Sequence, residues 1–285
     1  MYESFFRLRE SPFNVTPDPR FLYMGPSYRD GLAYLKYGIR EKKGFLVLTG
    51  EVGTGKTTLV RALAQELAPE VVISVVLNTR VTPKQLLTLA ARDFGLERSW
   101  RESKVELIAD LTDFFLTQAN AGRTCVLVVD EAHNMGPQLL EELRLLSNVE
   151  TDRQKLLQIV MVGQPELMST LSLSSMRQIR QRIPGNFHIK PLREDEVRSY
   201  VNTRLNVAGA DPSRLRFTPD AFEVIYSTTR GIPRLMNILC DRALLVAYVA
   251  ERREIGPDGV SEAVRDLGWG IREGDKYLSQ AAAGA

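Results

Sequence analysis

Gly50-Glu51-Val52-Gly53-Thr54-Gly55-Lys56-Thr57 fits the spacing GxxxxGK[ST]. This is a pattern for holding phosphate. Its glycines let backbone N–H groups turn inward around an anion, and the helix that follows presents its positive end to the same group. Lys56 is placed to reach the β- and γ-phosphates, and the Thr57 hydroxyl to coordinate Mg²⁺. Thr58 continues the same first helical turn and is counted with the phosphate-binding residues. Chance yields such a match in roughly one chain of this size in a hundred at average composition. Here the motif also lies between a strand-like run and a helical pattern, as the chemistry requires. ATP and Mg²⁺ are the implied ligands.

A second pair of chemical groups, Asp130 and Glu131, ends the apolar run Val126-Leu127-Val128-Val129. Neighbours on a strand point to opposite faces, so a turn after the strand must bring both carboxylates to its carboxyl edge. Asp130 would join the Mg²⁺ shell, and Glu131 would orient and activate the attacking water. Phosphoryl transfer needs positioning and charge stabilisation more than covalent help. Asp130-Glu131-Ala132-His133 also spells a DEAH box. The helicases that carry it need two α/β domains in one chain, and this chain has room for one. His133 reads instead as a cap or polar neighbour.

Further candidates lie downstream. Arg177, Arg180 and Arg182 precede the last expected strand. In an oligomer one of them could enter a neighbour's site, Arg182 first and Arg180 second, an effect worth about 10³ to 10⁵ in turnover. Gln164 follows the fourth expected strand and could polarise the water or sense the γ-phosphate. Gly231-Ile232-Pro233-Arg234 opens a helix from which Arg234 could fold over the γ-phosphate and couple nucleotide state to domain angle.

These groups need a scaffold, and the hydropathy pattern supplies one. Strands are expected at 44–49, 71–77, 125–130, 156–162 and 187–190, alternating with helices, which predicts a parallel five-stranded α/β sheet. Thr82 and Pro83 start one helix and Gly95 stops it. Pro137 opens another, with Leu139, Leu140, Leu143 and Leu146 on one stripe. Ser27 is expected to cap a helix that runs to about Lys43. Four prolines in residues 11–26 forbid a long helix there, and Phe13, Phe21, Leu22 and Tyr23 call for an ordered, buried arm. After Pro191 the pattern turns all-helical, at 193–208, 219–229, 233–252 and 259–267, with no strand run. The expected division is 1–191 for the arm and α/β domain, 192–270 for a helical lid, and 271–285 for a flexible tail.

Composition narrows the class. The 285 residues are 44% hydrophobic and 25% charged, with a net charge of +2. That is globular, and lacks the strongly basic balance of a constitutive nucleic-acid binder. No apolar run approaches the roughly 20 residues of a membrane span, and no signal-peptide core opens the chain. Two cysteines, Cys125 and Cys240, cannot make a disulfide framework and read as packed thiols. Two histidines exclude a His-rich metal site. A cytoplasmic, reducing environment is the expectation. Trp100 and Trp269 suggest packing or loop positions with no assigned task.

Together the segments FFRLRESPFNVTPDPRFLY, GEVGTGKTT, VDEAHNM, LRLLSNVETDRQKLLQIVMVGQPEL, RQIRQRI and GIPRLMNILCDRALL resemble the AAA+ superfamily. Within it they most resemble the ExeA/GspA-type ATPases of general secretion operons. The resemblance covers about 1–270, and the long central segment is its most specific part. It implies a P-loop NTPase domain, a helical lid and ATP-dependent homo-oligomers in a ring or filament. It also implies that Pro17 to Tyr23, including Leu22, and Arg29 lie near the adenine. Gln164 stands where AAA+ proteins commonly carry an asparagine. ExeA-type proteins usually continue into a membrane helix and a peptidoglycan-binding domain, neither of which is in these residues, so an excised cytosolic part is one reading. Three functions compete. The first is an ATPase that remodels or assembles a secretion or cell-surface partner. The second is a DNA-bound, ATP-dependent transposition-type adaptor. The third is a non-catalytic nucleotide switch.

Overall fold

Phe45–Gly50 forms β1, and all six of its residues are buried. Phe45 and Val47 face the main apolar core. Leu46 points the other way, over Gly38, where a Cβ would collide with its side chain. A strand covered on both faces has no solvent side to mark with polar residues, which is why β1 reads as a nearly continuous apolar run. The computed structural model describes residues 1–16, 18–97, 103–151, 154–270 and 272–276. Pro17 and Trp100, and the end of the expected tail from 277 onward, lie outside the described residues.

β1 is joined by β2 (Val71–Val76), β3 (Thr124–Val129), β4 (Leu157–Gly163) and β5 (Asn186–Ile189). The five make one all-parallel sheet in the order β2-β3-β4-β1-β5. The P-loop NTPase sheet expected from the sequence is therefore present. Because the strands are parallel, β1 and β3 end on the same edge, with β4 between them. In open α/β sheets ligands bind outside the carboxyl ends, where the strand order reverses, and β1 sits at such a point.

Helices Pro83–Asp93, Lys104–Asn120 and Pro137–Leu146 bury apolar stripes in the core with β1, β3 and β4. Thr82 caps the first by a reciprocal pair: its Oγ1 accepts from Gln85 N at 3.3 Å, and its own N–H donates to Gln85 Oε1 at 2.9 Å. Gly95, at φ +89°, follows its C-terminus. The helix Pro26–Arg40 departs from expectation. It starts at Pro26, and the Gly25 carbonyl accepts from Tyr28 and Arg29. Proline's fixed φ suits the first helical position. Ser27 is thus inside the helix, and its Oγ accepts from Lys190 N at 3.0 Å.

By contacts the chain forms two compact units. One comprises Asp30–Gly50 and Leu59–Ile189 and holds the sheet. The other comprises Met1–Arg29, Glu51–Thr58 and, among the described residues, the chain from Lys190 to 276. Its core includes helices Glu194–Val207, Pro219–Thr229, Pro233–Val249 and Pro257–Asp266. It also carries a two-residue parallel pair, β6 (Arg216–Phe217) and β7 (Glu254–Ile255), where no strand run was expected. Two residues are too short to show a period, but Phe217 and Ile255 are buried.

The arm differs from expectation too. The sequence groups it with the α/β domain, yet Phe6, Phe13 and Phe21 lie in the helical core with Val201 and Leu244. Arg204 explains the attachment. Its Nε donates to Pro12 O at 2.7 Å, its Nη2 donates to Asn14 O at 3.0 Å, and its guanidinium lies 4.9 Å from the Phe21 ring centre. A proline-rich arm makes few ladder bonds, and this side chain supplies the missing donors. The start of the expected flexible tail is also held. Residues 273–276 form a helical turn, and Asp275 accepts from Arg230 Nε at 2.6 Å.

Candidate functional site

The phosphate loop belongs to the unit that contains the helical core. Gly53 and Gly55 hold φ of +80° and +87°, a region that only glycine enters cheaply. Thr54 between them is buried. Its N–H donates to Glu51 O at 3.2 Å, and its Oγ1 donates to the same carbonyl at 2.8 Å. Lys56 is buried as well, with Nζ 3.0 Å from Glu51 O. Gly50 closes β1, and Glu51 and Val52 are half-buried. Thr57 and Thr58 stand in the first turn of the helix Lys56–Leu67.

Two residues from elsewhere in this unit brace the loop. Arg234 N donates to Gly53 O at 3.1 Å, and a Cβ on Gly53 would lie 2.6 Å from Arg234 Cβ. Arg234, at the start of Pro233–Val249, has an exposed side chain. The sequence singled it out, and the structure brings it to the loop. Tyr28 was not foreseen. It is buried, its hydroxyl donates to Thr54 O, and a Cβ on Gly55 would strike that hydroxyl. Burial raises the Tyr28 pKa, which keeps the phenol neutral and donating. No local signal marks this tyrosine, since its partner is 26 residues away. Of the residues assigned to adenine, Leu22 is half-buried after the turn Pro19–Phe21, and Arg29 is exposed.

The acidic pair closes β3 in the sheet unit. Asp130 N donates to Val76 O at 2.9 Å, extending the ladder by one residue. Its side chain is buried, and Oδ1 accepts from Glu131 N at 2.9 Å. Glu131 then adopts φ +53°, ψ +35° and begins the turn Ala132–Asn134. This left-handed residue is the turn that two adjacent carboxylates needed. Thr79, also unforeseen, buries its side chain and donates Oγ1 to Glu131 O at 3.1 Å.

His133 is a polar neighbour of Gln164. Its Nδ1 accepts from Gln164 N at 3.3 Å, and its Nε2 lies 2.8 Å from the Gln164 side-chain amide. Glu131 Oε2 is 3.5 Å from the same Nε2. The structure therefore gathers Glu131 and Gln164 around one imidazole. The arginines make contacts within the sheet unit. Arg182 Nη1 donates to Ser147 Oγ at 3.0 Å, and exposed Arg180 donates Nη1 to Ser172 O at 3.3 Å. Burial pushes the Cys125 thiol up to about 12 and raises that of Cys240 as well, so both are inert packed thiols.

A hydroxyl (Thr57) and a buried carboxylate (Asp130) are hard oxygen donors. Mg²⁺ prefers oxygen donors of this kind.

Residues 39–171 match the family described as an AAA domain. The chain is 42% identical over 280 residues to general secretion pathway protein A of Aeromonas hydrophila. The match covers 98% of this chain and 50% of that protein, so the chain spans about half the length of this relative. Among solved structures it resembles the Aeropyrum pernix ORC2 protein, crystallised as ADPNP-ADP complexes (TM-score 0.69, 17% identity, 90% of this chain and 71% of that one). Cdc6p of Pyrobaculum aerophilum superposes with a TM-score of 0.68 at 19% identity, over 90% and 70% of the two chains. The RuvB Holliday junction branch migration motor of Thermotoga maritima gives 0.58 at 20% identity, over 88% and 72%. Identities this low speak to the fold alone. No helix among the described residues is long and apolar enough to cross a membrane.

Proposed function

From its AAA domain match and its similarity to general secretion pathway protein A, we propose that the chain binds ATP with Mg²⁺ and hydrolyses it at the interfaces of a homo-oligomer. The energy would assemble or remodel a partner, in a secretion or cell-surface setting like that named for its relative. The observation that carries this reading is the sheet topology: parallel β1, whose last residue Gly50 leads along the chain into the glycine-rich loop, and parallel β3, which Asp130 and Glu131 follow, end on the same sheet edge.

Loop N–H groups and Lys56 would hold the β- and γ-phosphates. Thr57 and Asp130 would hold Mg²⁺, which neutralises charge on the phosphate oxygens. Glu131 would orient a water and take its proton as it attacks the γ-phosphorus. Gln164 would sense the γ-phosphate. Arg234, already tied to the loop through its backbone, would report nucleotide state to the helical core. Arg182 or Arg180 would complete a neighbour's site and favour the separating phosphate in the transition state.

ATP turnover measured over a range of protein concentrations, with and without duplex DNA, tests this. Specific activity is expected to rise with concentration, because each site is shared, and to ignore DNA. Concentration-independent activity from a species of monomer mass would overturn the shared site. Stimulation by DNA that falls steeply with salt would replace the secretion reading with the DNA-bound adaptor. No turnover under any condition would leave the nucleotide switch.

A further inference from the structure

We infer that His133 is a positioning residue that joins Glu131 to Gln164, so that water activation and γ-phosphate sensing are set by one hydrogen-bonded unit. This rests on the ATPase reading above. A neutral ring has one nitrogen that accepts and one that donates. Nδ1 accepts from the Gln164 backbone N–H at 3.3 Å, so Nε2 must carry the proton. A protonated Nε2 cannot accept from an amide NH₂. The Gln164 group facing it at 2.8 Å must therefore be the amide oxygen, an assignment that the hydrogen-bond pattern decides. The amide NH₂ is then directed away from the ring as a donor, the polarity a γ-phosphate oxygen or a water would require.

The same N–H has a second acceptor within reach, since Glu131 Oε2 lies 3.5 Å from Nε2. One proton thus stands between the carboxylate that would activate water and the amide that would sense phosphate. A change in the Gln164 side chain alters what the imidazole offers to Glu131. The ring itself is well held. Its side chain is 12% exposed, and Ala132 beside it is fully buried. β4 ends in Gly163, where a Cβ would come within 3.1 Å of His133 N and 3.4 Å of Nδ1. The strand that delivers Gln164 therefore ends in the residue that lets the imidazole lie against it. The backbone bond fixes the ring, and the ring fixes the two functional side chains.

The chain has only two histidines, so ¹⁵N-histidine spectra of the whole protein contain two rings, and His133→Phe identifies one. The expected spectrum shows His133 with a protonated Nε2 and an accepting Nδ1, and its shifts move in Gln164→Ala. A His133 ring protonated at Nδ1 instead would overturn the geometry. In turnover assays His133→Phe should lower kcat on the order of tenfold, the size of one lost hydrogen bond at the reacting group, with KM for ATP unchanged. His133→Gln should recover part of the loss. The His133→Phe/Gln164→Ala pair should lose little more than either single variant, because both break the same unit. Losses that multiply, or a kcat loss that only tracks a falling Tm, would reduce His133 to a packing residue. If the wild type hydrolyses no ATP, the ATPase reading falls and the coupling with it, while the ring spectra still report the geometry.

Discussion

The phosphate loop and the end of β3 position charge in different ways. At the loop, backbone does the holding: positive-φ glycines at 53 and 55 shape it, and Tyr28 and Arg234 brace its carbonyls. At the end of β3, side chains do it: Asp130 accepts from the next amide, and His133 stands between Glu131 and Gln164. A backbone cradle tolerates variation in most of its side chains but not added Cβ atoms. A side-chain network tolerates backbone-neutral changes poorly, because each atom has one assigned partner. Binding should therefore fail first through glycines and braces, and turnover first through single polar atoms.

The sharpest contrast is expected at Glu131→Gln. Its kcat should fall by about 10² to 10⁴, the range for loss of a positioned general base. ATP affinity should hold, and trapped nucleotide should favour larger oligomers. Steady-state turnover beside fluorescent-nucleotide titration checks this, and turnover at the wild-type rate removes Glu131 from the chemistry. Lys56→Ala comes next, with a loss on the order of 10² to 10³ in turnover. Unlike Glu131→Gln, it should also weaken nucleotide binding. If affinity survives, the division between a binding loop and a reacting strand end collapses.

Smaller effects are expected at the residues that shape and brace the loop. Gly53→Ala combines an unfavourable φ of +80° with a Cβ placed 2.6 Å from Arg234 Cβ, and should destabilise by about 1–3 kcal/mol. Gly122→Ala is the control, since Gly122 holds φ +74° with nothing within 4 Å of an added Cβ. Equal losses in urea denaturation would mean that strain alone matters and that the Arg234 contact does not. The smallest effect should come from Tyr28→Phe, which leaves the Thr54 carbonyl without its buried donor at a cost of about 1–2 kcal/mol. An unchanged Tm and nucleotide affinity would remove Tyr28 as a brace.

Lys56, Thr57, Asp130 and Glu131 could be proposed directly, because phosphate and metal chemistry demand fixed residue types at short spacing. β1, β3 and β4 could be read because burial on both faces leaves almost only apolar residues, and the half-buried edge strand β2 from its β-branched run. Arg234 could be read because GxPR opens a helix after a turn. Tyr28, Thr79 and Arg204 could not. Each acts on a carbonyl far away in sequence, 26, 52 and 192 residues distant respectively. A side chain aimed at a backbone oxygen demands nothing of the residue type at the other end. Ser27 misled for a related reason: its hydroxyl suits an N-cap, but Pro26 had already set the first helical turn.

By itself the sequence determined the parallel sheet, the phosphate loop, the acid pair and the helical stretches beyond Pro191, because each follows from local patterning or from short-range stereochemistry. Only the tertiary structure decided that the aromatic arm lies in the helical core, that Arg234 is tied to Gly53, and that His133 meets both Glu131 and Gln164. These pairings join segments whose separation along the chain carries no periodic signal. They are selected by which buried donors and acceptors find one another once the strands and helices have packed.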